Sequence, residues 1–249
     1  MPTTLFVTAL IDSHIVHKEL KSDEERIRHF VSLAKTGIDL VVFTSRKYQV
    51  AIEAICREYR NVQIHKILEV EDTYTYTVSN AYRDRLPSHR NTVKDSFEFL
   101  AIINAKIEFL HEAVRAYDYK QYAWIDFNLW HVIRITEEST RKLQRLSTQD
   151  LPTSRVYLPG CWPPSNDGLW ERIAWRFCGG FLIGHKSAIV EFTELYMTHI
   201  KDIVEEKGGI TWEVNLWAHL ENQYGWKPEW YLGNHDDTIL LSAPRLLSP

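Results

Sequence analysis

The segment Tyr122-Ala123-Trp124-Ile125-Asp126-Phe127-Asn128 joins an apolar run to a carboxylate and an amide two positions apart. The run reads as a buried strand, and period-two geometry points Asp126 and Asn128 to one side of it. A carboxylate there is costly to desolvate unless it is paired or holds a metal. Hard oxygen donors spaced this way suit a divalent cation laid against phosphate oxygens. Open α/β sheets also place their ligands at the carboxyl ends of strands. The competing reading is an aspartate that caps a turn, and on this segment alone both stand.

Other clusters offer less. Asp12, His14 and His17 have the spacing of a metal site but lack a further clear ligand. Cys178 has no histidine partner in view, so a small buried residue is the better account than a nucleophile. Cys56, Cys161 and Cys178 show no CxxC spacing, which argues against a zinc ribbon and a disulfide scaffold and fits a reducing compartment. Gly-x-Gly-x-x-Gly, Walker A and Gly-x-Ser-x-Gly motifs do not occur. The net charge of −4 and the lack of a basic block argue against a nucleic-acid partner. No stretch approaches the ~20 apolar residues of a membrane span, and the apolar run at Leu5–Ile11 lacks the basic flank of a signal peptide. A cytoplasmic protein is expected. The nine Trp suit core packing and sugar stacking alike.

The elements that must position these residues alternate. Leu5–Ile11, Asp39–Thr44 and Val62–Ile67 read as strands; Ser22–Gly37 and Lys47–Tyr59 read as the helices between them, the first opened by a Ser22/Glu25 capping box. This alternation implies an α/β fold with a parallel, doubly wound sheet. Residues 71–95 read as a loop or irregular helix. Phe97–Ala116 has the strongest helical period. After the strand that ends in Asp126, an exposed helix over 137–146 and a proline-marked break at 152–168 are expected. A strand over 175–183, a helix over 186–206 and another opening at Trp212 follow.

Four pieces fall in a telling order: Asp126-Phe127-Asn128, then Phe177-Cys178-Gly179-Gly180-Phe181-Leu182-Ile183-Gly184, then Trp212-Glu213-Val214-Asn215-Leu216-Trp217, then Tyr231-Leu232-Gly233-Asn234-His235-Asp236-Asp237. This order resembles the GT-A glycosyltransferases, and most closely the HtrL/YibB-like proteins. That family has a Trp-Ile-Asp-Phe-Gly-like strand, a Gly-Gly-Phe-x-x-Gly segment and an acidic helix start. Val7-Thr8-Ala9, Phe43-Thr44 and Asn104-Ala105-Lys106-Ile107-Glu108-Phe109-Leu110 are similar too. The resemblance spans nearly the whole chain, and a like order occurs in the blood-group ABO-type transferases.

The resemblance implies one GT-A-like domain over 1–249, Rossmann-like, with a mostly parallel central sheet and helices on both faces. Residues 1–130 would bind the donor; residues 131–249 would bind the acceptor and supply the catalytic acid. The implied activity is metal-dependent transfer of a sugar from a nucleotide-sugar, a UDP-sugar by preference, to a glycan hydroxyl. Asp126, Asn128 and His235 would hold Mn2+ or Mg2+, with Asp236 or Asp237 as an alternative to His235. A loop histidine bonded to Asp236 is an equal account of His235. Glu213 would face the reacting carbon; the plainer reading is an acid favoured by the helix dipole. Gly179 and Gly180 would let the donor or acceptor lie against the main chain, or mark a β-bulge. Thr8, Ala9, Thr44, Arg46 and Lys106 are placed to touch the nucleotide, with Lys106 neutralising a phosphate or pairing with Asp126. Arg83, Arg85 and Arg90 could close over phosphates. Asn128 and Trp212 stand where the family has acids. This departure supports an alternative, a catalytically weakened protein that binds nucleotide-sugars or glycans.

Overall fold

The computed structural model describes residues 2–15, 21–165 and 167–243. In chain order the elements are β1 Thr4–Leu10, α1 Asp23–Ala34, β2 Leu40–Thr44, α2 Arg46–Glu58, β3 Val62–Ile67, α3 Tyr74–Ser79, α4 Phe97–Asn104, α5 Lys106–Ala116, β4 Gln121–Ile125, α6 Thr136–Thr148, β5 Val156–Gly160, β6 Phe181–His185, α7 Lys186–Lys207, α8 Glu213–Gln223, β7 Glu229–Leu232 and α9 Thr238–Leu241. One seven-stranded sheet runs through both halves of the sequence in the order β3-β2-β1-β4-β6-β5-β7. The mostly parallel α/β architecture expected from the sequence is present, with helices on both faces.

Strand alternation builds those two faces. Leu5, Val7, Val41, Phe43, Tyr122, Trp124 and Leu182 pack under α4, α5, α7 and α8. Phe6, Leu10, Leu40, Val42, Ala123, Ile125, Phe181 and Ile183 pack under α1, α2, α6 and α9. At the start of α1, Ser22 Oγ accepts from the Glu25 amide at 3.2 Å and Glu25 Oε2 accepts from the Ser22 amide at 3.0 Å. This is the expected capping box, and a capping side chain of this kind stabilises a helix by about 1 kcal/mol.

The sheet is not uniformly parallel. β6 runs antiparallel to both β4 and β5, while β5 and β7 are parallel to each other. The sequence reading also missed β5 and β7. Pro159 hid the former, yet it lies beyond the β5 residues paired with β6, Val156 and Tyr157, so no ladder donor is lost on that side. The expected strand over 175–183 begins only at Phe181. Trp175 has φ 53, a left-handed conformation that no strand admits, and Arg176 is committed to a buried ion pair. The long helix over 97–116 is split into α4 and α5 at Ala105. Asn104 Nδ2 donates there to the Leu100 carbonyl and to the Thr211 carbonyl, both at 2.8 Å. Asn104 thereby ties the split to the entry of α8. No helix among the described residues is long and apolar enough to cross a membrane.

Candidate functional site

Lys106 is the first residue of α5 and is almost wholly buried. Its Nζ lies 2.9 Å from Asp126 Oδ1, 2.8 Å from Glu213 Oε1, and 2.9 Å from the Gly179 carbonyl oxygen, to which it donates. An ammonium has three donors, and all three are spent. Burial works against its charge, but the Asp126 and Glu213 carboxylates outweigh burial and raise its pKa above the usual lysine value. The sequence option that Lys106 pairs with Asp126 is what the structure shows, and Glu213 joins the pair.

Each partner arrives from a different element. Asp126 stands one residue past β4, where Trp124 Nε1 donates to Oδ1 at 2.7 Å. The Lys106 ammonium also lies 5.7 Å from the centre of the Trp124 ring. Glu213 opens α8, where the helix dipole favours an acid. Gly179 sits in the turn before β6, and a Cβ built there would lie 2.1 Å from Glu213 Oε1. The approach to Gly179 is therefore made by the glutamate carboxylate. Gly180 is crowded differently: a Cβ there would meet Ile239 at 3.0 Å and Leu129 at 3.2 Å, with Asp126 Oδ2 at 3.6 Å.

Two carboxylates against one ammonium leave the cluster one negative charge in excess. Asp126 Oδ2 and Glu213 Oε2 make no hydrogen bond among the described residues. The two acids differ in access, for the Asp126 side chain is 38% exposed and that of Glu213 9%. Asp126 can meet a ligand from solvent, whereas Glu213 is a fixed charge at the floor. Trp212 does not stack openly; it is buried, and its Nε1 donates to Asp95 Oδ2 at 3.3 Å.

Asn128 departs from the expected geometry. The strand ends at Ile125, and the Leu129 amide donates to the Asp126 carbonyl at 2.9 Å, closing a turn. Phe127 stacks on Phe30 with ring centroids 4.1 Å apart, on the face opposite Trp124. Alternation holds through Phe127 and fails at Asn128, which turns toward α1 rather than siding with Asp126. The Asn128 Oδ1 lies 2.6 Å from His29 Nδ1, and its carbonyl lies 2.6 Å from His131 Nδ1. Asp126 and Asn128 serve different partners and do not form an Asp-X-Asp-like chelate.

His235 packs edge-on against Trp175, with ring centroids 4.4 Å apart. Burial holds its imidazole below the ordinary histidine range. The Asp126 and Glu213 carboxylates pull the other way, and Lys94 and Lys106 reinforce the lowering. Neutral imidazole is the form that binds metals. Its neighbours are otherwise engaged: Asp236 Oδ1 accepts from the Thr238 amide and hydroxyl. Asp237 Oδ1 accepts from the Arg134 and Ile135 amides, both at 2.8 Å. Among the described residues no group of three or more His, Cys, Asp or Glu is arranged to hold a metal. The metal shell expected of Asp126, Asn128 and His235 is not assembled by the side chains themselves. What the side chains offer a cation is narrower: one open carboxylate oxygen, Asp126 Oδ2, and the neutral imidazole of His235.

The remaining candidates scatter. Thr8 is fully buried, and its Oγ1 has no hydrogen-bond partner. Thr44 is buried too, and its hydroxyl donates to the Leu10 carbonyl at 3.2 Å. Both share the parity of Phe6 and Val42, so their side chains turn into the core and are not offered to a nucleotide. Ala9 lies near the end of β1, in register with Phe43. Arg46 is exposed at the start of α2, where its amide donates to Glu69 Oε1 at 3.2 Å. Arg83 pairs with Glu98 at 2.9 Å, and Arg85 stacks near Tyr82. His14 meets Asp12 at 3.6 Å and Glu71 at 3.1 Å, and Asp12 is also paired with Lys47. His17 lies outside the described residues. Cys178 is buried with its Sγ 3.4 Å from Cys161 Sγ, and burial, with Cys161 beside it, pushes its thiol pKa up, which removes it as a nucleophile. Sequence reasoning missed Trp124 as a donor to Asp126, Asp95 beneath Trp212, and Lys94, whose charge reaches both His235 and Lys21. The Trp-x-Asp spacing was the one signal present for the first; nothing local announced the others.

No family model matches the chain, and no curated protein matches it in sequence. Among solved structures, mouse xyloside xylosyltransferase 1 is similar at 8% identity over 92% of this chain and 84% of that one, with a TM-score of 0.48. The 4-diphosphocytidyl-2C-methyl-D-erythritol synthase of Anaerococcus prevotii is similar at 10% identity, over 96% of this chain and 92% of that one, with a TM-score of 0.45. A cytidylyltransferase of Leptospira borgpetersenii follows at 12% identity, 94% and 78% coverage and a TM-score of 0.43. At such identities these likenesses assign no activity to the chain.

Proposed function

We propose that the chain is a glycosyltransferase of the HtrL/YibB-like kind, moving a sugar from a nucleotide-sugar, a UDP-sugar by preference, to a glycan hydroxyl. The observation that supports this most is the Lys106–Asp126–Glu213 cluster at the carboxyl end of β4, fixed in place and one negative charge in excess. In the reaction the bond from the anomeric carbon to the diphosphate breaks, and a bond from that carbon to the acceptor oxygen forms. Positive charge grows at the carbon while negative charge grows on the leaving group. Glu213, locked through Oε1 by Lys106, presents a preorganised negative charge to the carbon, and such fixed charge costs no reorganisation as the reaction proceeds. It can also accept the proton that the acceptor hydroxyl sheds.

Asp126 Oδ2 and the neutral imidazole of His235 are the residues that would hold Mn2+ or Mg2+, with substrate phosphates and water completing the shell. Bound there, the cation would offset charge on the departing diphosphate. A second reading, a nucleotide-sugar-binding protein without turnover, is favoured by one observation: Asn128 is tied to His29 and adds no ligand beside Asp126.

Incubation with UDP-sugars and Mn2+ separates the two. The transferase reading expects nucleoside diphosphate release by the wild type and none by Glu213→Gln. Binding without release supports the second reading. No binding of any nucleotide-sugar removes both.

A further inference from the structure

Arg176 is 2% exposed, an unusual place for a guanidinium, and its contacts join the segment before β6 to α8, β7 and the loop after β5. Nε and Nη2 donate to the two carboxylate oxygens of Glu221 at 2.8 and 2.7 Å. Nη1 donates to the Trp162 carbonyl at 2.9 Å. The guanidinium carbon lies 4.4 Å from the ring centres of both Phe177 and Trp230. Gly160, at the end of β5, clears the space: a Cβ there would lie 2.5 Å from the Arg176 carbonyl and 3.1 Å from the Trp230 ring.

Around this buried pair three indoles reach solvent: Trp162 at 63% exposure, Trp230 at 39% and Trp175 at 36%. Trp175 has the left-handed φ of 53, which for a bulky residue persists only where the surroundings enforce it. Its ring packs edge-on against His235, with centroids 4.4 Å apart.

We propose that Trp175 and Trp162, with Trp230 beside them, form a stacking platform for a neutral pyranose ring of the acceptor. This rests on the transferase reading and names the acceptor subsite within it. A pyranose has an apolar C–H face and a hydroxyl rim, and it matches an indole face bordered by polar groups. The border here is His235, edge-on to Trp175, and Asn234, whose Oδ1 lies 3.8 Å from the Sγ of Cys161 beside Trp162, and the Arg176 charge is already spent on Glu221. An amide oxygen and a neutral imidazole can accept from hydroxyls, while neither offers a positive charge to a phosphorylated or acidic ring. A lipid chain needs an unbroken apolar trough, and these indoles are interrupted by polar groups.

The test is saturation-transfer NMR on the full chain with methyl glucoside, methyl galactoside and methyl mannoside, run beside calorimetry with UDP-sugars. Trp175→Ala and Trp175→Gly are compared, because glycine accepts the left-handed backbone and keeps the fold where alanine strains it. Wild type should saturate ring protons of at least one pyranoside, and both variants should bind it about three- to tenfold more weakly, the range a stacking contact supplies. UDP-sugar affinity should not change. Equal pyranoside binding in wild type and both variants overturns the platform. So does a wild type that binds UDP-sugar but no pyranoside. If pyranosides bind through Trp175 while no UDP-sugar binds, the platform stands and the transferase reading falls.

Discussion

Replacing Lys106 with methionine keeps an unbranched stem and removes the one cation between two acids. Glu213, with its side chain 9% exposed, becomes a buried charge without a partner. Breaking one side of a buried pair costs about 3–5 kcal/mol. Asp126 is 38% exposed, so solvent screens it and its share falls to that of a surface pair, about 0–1 kcal/mol. The Gly179 carbonyl also loses a donor, about 0.5–1.5 kcal/mol. These terms share one ammonium and do not add, so the expected total loss is about 3–5 kcal/mol, set by the glutamate. Typical domains hold about 5–15 kcal/mol, so the variant should fold with a markedly lower urea midpoint. Unfolding followed by tryptophan fluorescence measures this. The double variant Lys106→Met/Glu213→Gln removes the stranded charge and should recover most of the loss. A single variant within about 1 kcal/mol of wild type refutes the reasoning. A double variant as unstable as the sum of its parts refutes it equally.

Gly179→Ala forces Glu213 Oε1 away from a position 2.1 Å from the new Cβ, breaking the 2.8 Å contact to Lys106. Nucleotide release should fall sharply, and Glu213→Asp in the same chain, with a shorter acid, should restore stability in part by thermal melting. Asp126→Asn should abolish Mn2+-dependent nucleotide release while costing at most about 1 kcal/mol in urea unfolding, because that side chain is more than a third exposed. Arg176→Lys keeps the charge but loses the two-pronged grip on Glu221, so a loss of about 1–3 kcal/mol is expected, with faster limited proteolysis by a non-specific protease in the loop that carries Trp162. The pKa of Lys106 is raised in the folded chain above the ordinary lysine value of 10.5, because the Asp126 and Glu213 carboxylates outweigh its burial. Its stabilisation is therefore fully present below the unfolded value and is lost as pH climbs through the folded one. The gap in stability between wild type and Lys106→Met should narrow in alkaline titration only beyond 10.5.

Much of the frame was legible, because buried strands announce themselves through apolar runs and α1 through its capping box. Lys106 and Asp126 could be paired from a helix pattern and a strand end. What the sequence hid was set by contacts distant along the chain. Asn128 left the expected side because the chain turns after Asp126, closed by the Leu129 amide, and His29 of α1 holds the Asn128 side chain. Thr8 and Thr44 were placed beside a ligand by strand position, yet their parity sends them inward. β7 is four residues long and gains its register only from β5. The close approach of Glu213 to Gly179 is a matter of missing volume, and a missing volume has no signature in a one-dimensional string.

That absent side chain ties two distant positions into one evolutionary unit. Any descendant that gains a methyl at position 179 must shorten or surrender its acid at position 213, and Lys106 then keeps Asp126 as its one carboxylate partner. Comparison of relatives, once gathered, should find positions 179 and 213 changing together or not at all.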